Sequence, residues 1–199
     1  MNPVNHLLMA GILLLLASGA VAQPNIGGYN VYYGNLHNHC SISDGVNTPD
    51  AAYNYARNTG KLDFFSLSDH SGSIDAAEWV AMKTAADKYN SDGVFTAFWG
   101  FEWTENYLGH VAVINPTNYI TTASPYNTFG ALSTWLNNNE CVAFFNHPGR
   151  NNSTGLEFNH LTGTPTDKIV GMELWNKTDR FETYYYTDGY FTGDGNKGI

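Results

Sequence analysis

Residues 36–45 read Leu36-His37-Asn38-His39-Cys40-Ser41-Ile42-Ser43-Asp44-Gly45. The stretch takes over from a short strand, Tyr32 to His37. In extended backbone, residues i and i+2 face the same side, so His37 and His39 can grip one metal ion together. Cys40 then faces away and reads as a packing residue rather than a ligand. Asp44-Gly45 adds a carboxylate shortly afterwards. Outward along the chain the arrangement recurs. Ser68-Asp69-His70 closes the strand Leu62–Ser68, and Phe101-Glu102-Trp103 closes Val94–Trp103. Gly109-His110 opens the strand His110–Asn115, and Asn146-His147-Pro148 closes Cys141–Asn146. An isolated histidine is most often a packed or solvated residue. Five histidines and three carboxylates in one register are another matter, because (β/α) barrels build their sites at the C-terminal ends of several strands. Neutral imidazole with carboxylate suits zinc, iron or manganese, and no cysteine pair lies nearby to make a structural zinc knuckle.

Helices separate these strands. Thr48-Pro49-Asp50 is an N-cap, a proline in the first turn and an acidic residue at the positive end of a helix that stops at Gly60. Asp75–Tyr89 predicts a second helix, with Ala76, Trp79, Val80, Met82 and Ala86 on its inner face. Phe129–Leu136 predicts a third, and Ile169–Trp175 a sixth strand. Leu62–Ser68 is apolar enough to be buried on both faces. Repeated strand–helix units of this kind imply one α/β domain with a parallel sheet or barrel. The polar stretch between Pro148 and Lys168 is a candidate rim loop.

On these motifs the sequence resembles the PHP (polymerase and histidinol phosphatase) family of metal-dependent phosphoesterases, in its secreted branch. The likeness runs from about Tyr33 to Asn176 and is carried by LHNHCSISDG, SLSDH, GFEWT, GHVAVIN and FFNHPG in that order. It implies a distorted (β/α)7 TIM-like barrel holding up to three divalent ions, zinc, manganese or iron. Glu102, His110 and His147 would complete one metal position. His37 and His39, with Glu102 bridging, would hold a second, and Asp44 with His70 a third. The last two positions also expect an Asp and a His from an Asp-X-His motif on the final strand. No such motif follows His147, since His160 in FNHLTG has no Asp two residues before it. The expectation is therefore a barrel incomplete at its C-terminus, in a truncated or partial chain.

The implied reaction is hydrolysis of phosphate mono- or diesters, with a phosphorylated small molecule or nucleotide as substrate. Two residues are candidates for catalytic support. Arg150 reads as a phosphate contact or a solvated loop residue; Asp69 reads as a group orienting a ligand histidine or as a helix cap. Two alternative functions stay open. One is an amidohydrolase-type metal-dependent hydrolase, whose barrels also begin with His-X-His. The other is a non-enzymatic surface binding module using exposed Tyr and Trp, for which Tyr184-Tyr185-Tyr186 would be a platform if it were not helix surface and core.

Composition narrows the field further. Nine Lys+Arg against 18 Asp+Glu give a net charge of −9 over 199 residues, so no basic track exists for a stable nucleic-acid partner. Aromatics at 15% and charged residues at only 14% exclude a disordered chain. Cys40 and Cys141 fall at opposite ends of their strands, too far apart to pair. Leu7–Ala17 is apolar but too short to span a bilayer, and Ala20-Val21-Ala22 follows it as a small-residue cleavage site. Residues 1–22 are thus expected to be a signal peptide, leaving 23–199 as a secreted or periplasmic domain with no membrane span.

Overall fold

Thr48 opens the first helix, α1 (Pro49–Asn58), of the computed structural model: its hydroxyl accepts the Ala51 amide at 3.3 Å, and Pro49 takes a position where no amide hydrogen is needed. The structure describes residues 24–148, 151–152, 155–158 and 166–173. The signal segment 1–22, Arg150, His160 and Tyr184–Tyr186 lie outside the described residues. Residues 24–31 belong to a separate unit, in which β1 (Asn25–Ile26) and β2 (Tyr29–Asn30) form a small antiparallel hairpin.

The larger unit is mixed α/β, with three helices on a curled six-stranded half-barrel sheet. In chain order the elements are β3 (Gly34–Asn35), α1, β4 (Phe64–Leu67), α2 (Ala76–Tyr89), β5 (Thr96–Glu105), β6 (Gly109–Ile114), α3 (Phe129–Asn137) and β7 (Val142–Asn146). A two-stranded ribbon follows, β8 (Asn151–Asn152) with β9 (Gly155–Leu156), and then β10 (Ile169–Met172). Across the sheet the order is β10-β7-β6-β5-β4-β3. A seven-stranded closed barrel is not what the described residues form. Nor is the sheet all parallel. β6 runs against both β5 and β7, while the other neighbouring pairs are parallel. The reason is the connection: three residues, Asn106 to Leu108, separate β5 from β6. A parallel crossover needs a dozen or more, so only a hairpin fits. The reversal puts the start of β6 at the same edge as the ends of β5 and β7.

Strand alternation divides β5 between core and site. Phe101 and Trp103 are fully buried on the helix side. Phe101 meets Trp79 of α2 at 6.3 Å and Trp135 of α3 at 5.7 Å between ring centroids. Trp103 packs on Phe129 at 6.2 Å and donates its indole N–H to the Tyr126 carbonyl at 2.8 Å. Glu102, between them, faces the opposite way. The α2 helix starts one residue later than expected because Asp75 is its N-cap, in a capping box with Glu78. Trp79, Met82 and Ala86 do line its inner face, but Ala76 and Val80 do not. Val80 is 60% exposed, because the buried stripe continues through Ala85 instead.

Candidate metal centre

The site forms where the sheet ends. Glu102 is fully buried near the end of β5, and five imidazoles surround its carboxylate. Oε1 is 3.1 Å from His37 Nε2, 3.3 Å from His110 Nδ1 and 3.7 Å from His147 Nε2. Oε2 is 3.4 Å from His39 Nε2 and 2.6 Å from His70 Nδ1. Asn146 donates its amide to Oε1 at 2.5 Å, and the His70 ring also meets the Thr104 hydroxyl at 2.7 Å. The backbone sets this convergence. His70 bridges Glu102 in parallel register just beyond β4. His110 pairs with both Thr104 of β5 and Asn146 of β7. His147, one residue past β7, adopts φ 30°, a left-handed conformation rare outside glycine, which turns its side chain into the site.

The loop from His39 to Gly45 carries the exposed side of the cluster. Asp44, 68% exposed at its side chain, lies 2.5 Å from His39 Nδ1 and 3.6 Å from His70 Nε2. Asp69 is wholly buried beneath this loop. Its carboxylate accepts the Cys40 amide at 3.0 Å, the Cys40 thiol at 3.1 Å, the Ser43 amide at 3.0 Å and the Ser43 hydroxyl at 2.7 Å. Among the described residues it caps no helix and bonds to no imidazole; it fastens the loop that bears His39 and Asp44. Cys40 packs as expected, and both cysteines are free thiols. A side chain at Gly45 would put its Cβ 2.3 Å from the His39 carbonyl, so glycine is obligatory there.

Two further carboxylates escaped the sequence reading. Glu157, fully buried, has Oε2 2.5 Å from His147 Nδ1. Glu173, next after β10, has Oε1 3.3 Å from His37 Nδ1 and accepts the His147 amide at 2.7 Å through Oε2. Glu173 lies inside the predicted strand Ile169–Trp175, and only the earlier end of β10 at Met172 puts it at a strand terminus. Glu157 stands between Leu156 and Phe158, and a carboxylate flanked by large apolar residues in a polar loop was its only trace.

Electrostatics follow from this crowding. Burial would raise Glu102, but the imidazoles bonded to it hold it well below the usual carboxylate range. Burial would lower His37, yet its bonds to Glu102 and Glu173 lift it to about 9. His39 is also raised, since Glu102 and Asp44 outweigh its burial. His110 goes the other way, burial pushing it down.

The donor set fits divalent metal. His37–Glu102–His147, His39–His70–Glu102 and His110–His147–Glu157 each bring ligand atoms within 4.8 Å of one another. His39 Nε2 is buried without a hydrogen-bond partner although Glu102 Oε2 is near. An imidazole nitrogen and a carboxylate oxygen held close without a hydrogen bond between them have the spacing of two ligands of one ion. The structure thus brings His37, His39, Asp44, His70, Glu102, His110 and His147 into one cluster, with Asp69 outside it as a support.

A family model described as "Protein of unknown function (DUF3604)" matches residues 59–187. No curated protein matches the chain. Among solved structures, the chain is similar to a predicted metal-dependent phosphoesterase from Bifidobacterium adolescentis, at 16% identity and TM-score 0.53, covering 83% of this chain and 88% of that one. It is also similar to a two-domain protein from Bacteroides vulgatus containing a predicted PHP-like metal-dependent phosphoesterase, at 22% identity and TM-score 0.45 over 64% of this chain. The chain spans 38% of the Bacteroides protein. What the Bifidobacterium protein shares with this chain is the fold.

Proposed function

This chain belongs to the DUF3604 family, and from that premise we propose that it is an exported metal-dependent phosphoesterase, hydrolysing phosphate mono- or diesters at a multinuclear site. The observation that carries the reading is the convergence of five imidazoles on one buried carboxylate, Glu102. When bound, divalent ions (zinc, manganese or iron, up to three) supply positive charge for phosphate oxygens and acidify water enough to provide hydroxide near neutral pH. Glu102 is the shared carboxylate of the centre. His37, His110 and His147 serve its Oε1 side, and His39, His70 and Asp44 form the side open to solvent. Substrate enters by Asp44, the exposed member of the cluster. Asp69 keeps that entry loop in place through its bonds to Cys40 and Ser43. Arg150, close after His147 in sequence, contacts a phosphate oxygen in this reading. The net charge of −9 is no obstacle, because the attraction for an anionic substrate is local to the ions.

In this reading the half-barrel is part of a (β/α)7 barrel. Export rests on the apolar run Leu7–Ala17 and the Ala-Val-Ala site before Gln23. No helix among the described residues is long and apolar enough to cross a membrane. The test is direct. Purified chain is stripped with chelator, reloaded with zinc, manganese or iron, and assayed on p-nitrophenyl phosphate and bis-p-nitrophenyl phosphate. Hydrolysis should return with metal and be lost in His147→Ala. A chain that binds no transition metal and cleaves neither ester overturns the proposal.

A further inference from the structure

Distance separates contacts that share an ion from contacts that share a proton. Metal–nitrogen and metal–oxygen bonds of about 2.0–2.2 Å place two ligands of one ion roughly 3.0–3.7 Å apart at angles of about 90–125°. A charge-assisted hydrogen bond from an imidazole to a carboxylate is shorter, about 2.7–2.9 Å. Glu102 Oε1 lies 3.1, 3.3 and 3.7 Å from His37 Nε2, His110 Nδ1 and His147 Nε2, all in the ion-sharing range. Glu157 Oε2 lies 2.5 Å from His147 Nδ1, too close for both atoms to bind one ion and short enough to share a proton. Its other oxygen faces His110 Nε2 at 3.9 Å. Both rings therefore present one nitrogen to Glu102 and the other to Glu157.

Resting on the metal-centre reading above, we propose that Glu157 is a positioning residue that fixes which nitrogen His147 turns towards the ion shared with Glu102. By accepting the Nδ1 proton of His147, Glu157 leaves the Nε2 lone pair for the metal and stops the ring from flipping. This is the supporting carboxylate that metal-bound histidines commonly need. Its own placement is strongly determined. Phe158, at φ 62°, donates its amide to the Leu108 carbonyl at 2.9 Å and packs on Phe145 with ring centroids 4.5 Å apart. Its ring also fills the space where a Cβ on Gly109 would be, 2.7 Å away. Gly109 has φ +119°, which few other residues tolerate. The β5–β6 turn thus seats Phe158, and Phe158 seats Glu157.

The test compares wild-type chain with Glu157→Ala, Glu157→Gln and Glu157→Met. Zinc affinity is read by competition with a chromophoric chelator, ions per chain by elemental analysis, and ligand geometry by the visible absorption of the cobalt-loaded protein. Glu157→Ala and Glu157→Met should each weaken one ion about 10- to 100-fold and shift the cobalt bands, with the ion count at saturating zinc unchanged. Glu157→Gln, whose carbonyl still accepts the Nδ1 proton, should recover most of the affinity and the wild-type spectrum. If the alanine chain does not fold by circular dichroism, Glu157→Met, which keeps the volume without the acceptor, decides. Unchanged affinity in the variants overturns the proposal. So does a count one ion lower in all three, which would make Glu157 a ligand. Wild-type chain that binds no metal is a separate failure, that of the metal centre itself, and takes this proposal with it.

Discussion

Glu102 concentrates the chemistry in two oxygens. Replacing it by glutamine keeps the shape, removes the charge and turns one acceptor into a donor facing imidazole. Glu102→Gln should lower bound metal below one ion per chain by elemental analysis and reduce metal-dependent ester hydrolysis by more than about 100-fold, the most that loss of a supporting group costs. His37 gives a pH dependence that needs no substrate. Its pKa is raised from 6.5 to about 9 in the metal-free fold. A raised folded value means that its stabilisation is full below 6.5 and is lost as pH rises through about 9. Chelator-treated chain should therefore show a falling urea midpoint across that window, and His37→Asn should flatten the fall; an equally steep fall in the variant would refute the assignment. The ligand candidates were legible because strand geometry assigns a face and an edge to each residue. His37 and His39 were singled out by i, i+2 spacing, although both lie past β3 and face different oxygens of Glu102 rather than one shared position, and Glu102 by its place at a predicted strand end. Glu173 was hidden inside the predicted apolar strand Ile169–Trp175, because β10 stops earlier than expected, at Met172. Glu157 could not be read, because its position depends on Phe158 docking against Gly109, which is a tertiary contact.

Elements hold these residues through alternation and capping. β5 is the central case, since Phe101 and Trp103 anchor it to the helices while Glu102 faces the site. Trp103→Ala should cost about 3–5 kcal/mol in chemical denaturation, and metal affinity should fall with it because Glu102 loses its platform. The loop after His39 depends instead on one buried carboxylate. Asp69→Ala leaves the Cys40 and Ser43 amides without their acceptor, which should cost about 1–3 kcal/mol and weaken metal binding, measured by urea titration and by chelator competition. Most elements were visible in the sequence because their caps and apolar periods are local signals, as with Thr48-Pro49 and Asp75. The direction of β6 was missed, although the short gap before Gly109 contained it. Apolar content reports burial and is silent on polarity; the length of the connection decides polarity.

At the scale of the whole molecule, folding and metal binding are one equilibrium. Ligand candidates come from the ends of β4, β5 and β7, the start of β6 and the loop after β3, so unfolding disperses all of them. With metal at about 100 times its dissociation constant, one bound ion adds about 2.7 kcal/mol of stability. At about 2–4 °C per kcal/mol for a chain of this size, chelation should lower the melting temperature by about 5–11 °C for each ion held that tightly. Unchanged melting on chelation would mean that no ion is bound in that range. Contact between His37 and Glu173 sets an order of assembly during synthesis. The two residues stand 136 positions apart in the chain. During synthesis the ribosome releases His37 long before Glu173 exists, so every shorter nascent chain carries the first arm of the centre without its brace. The centre can close only once residue 173 has left the ribosome.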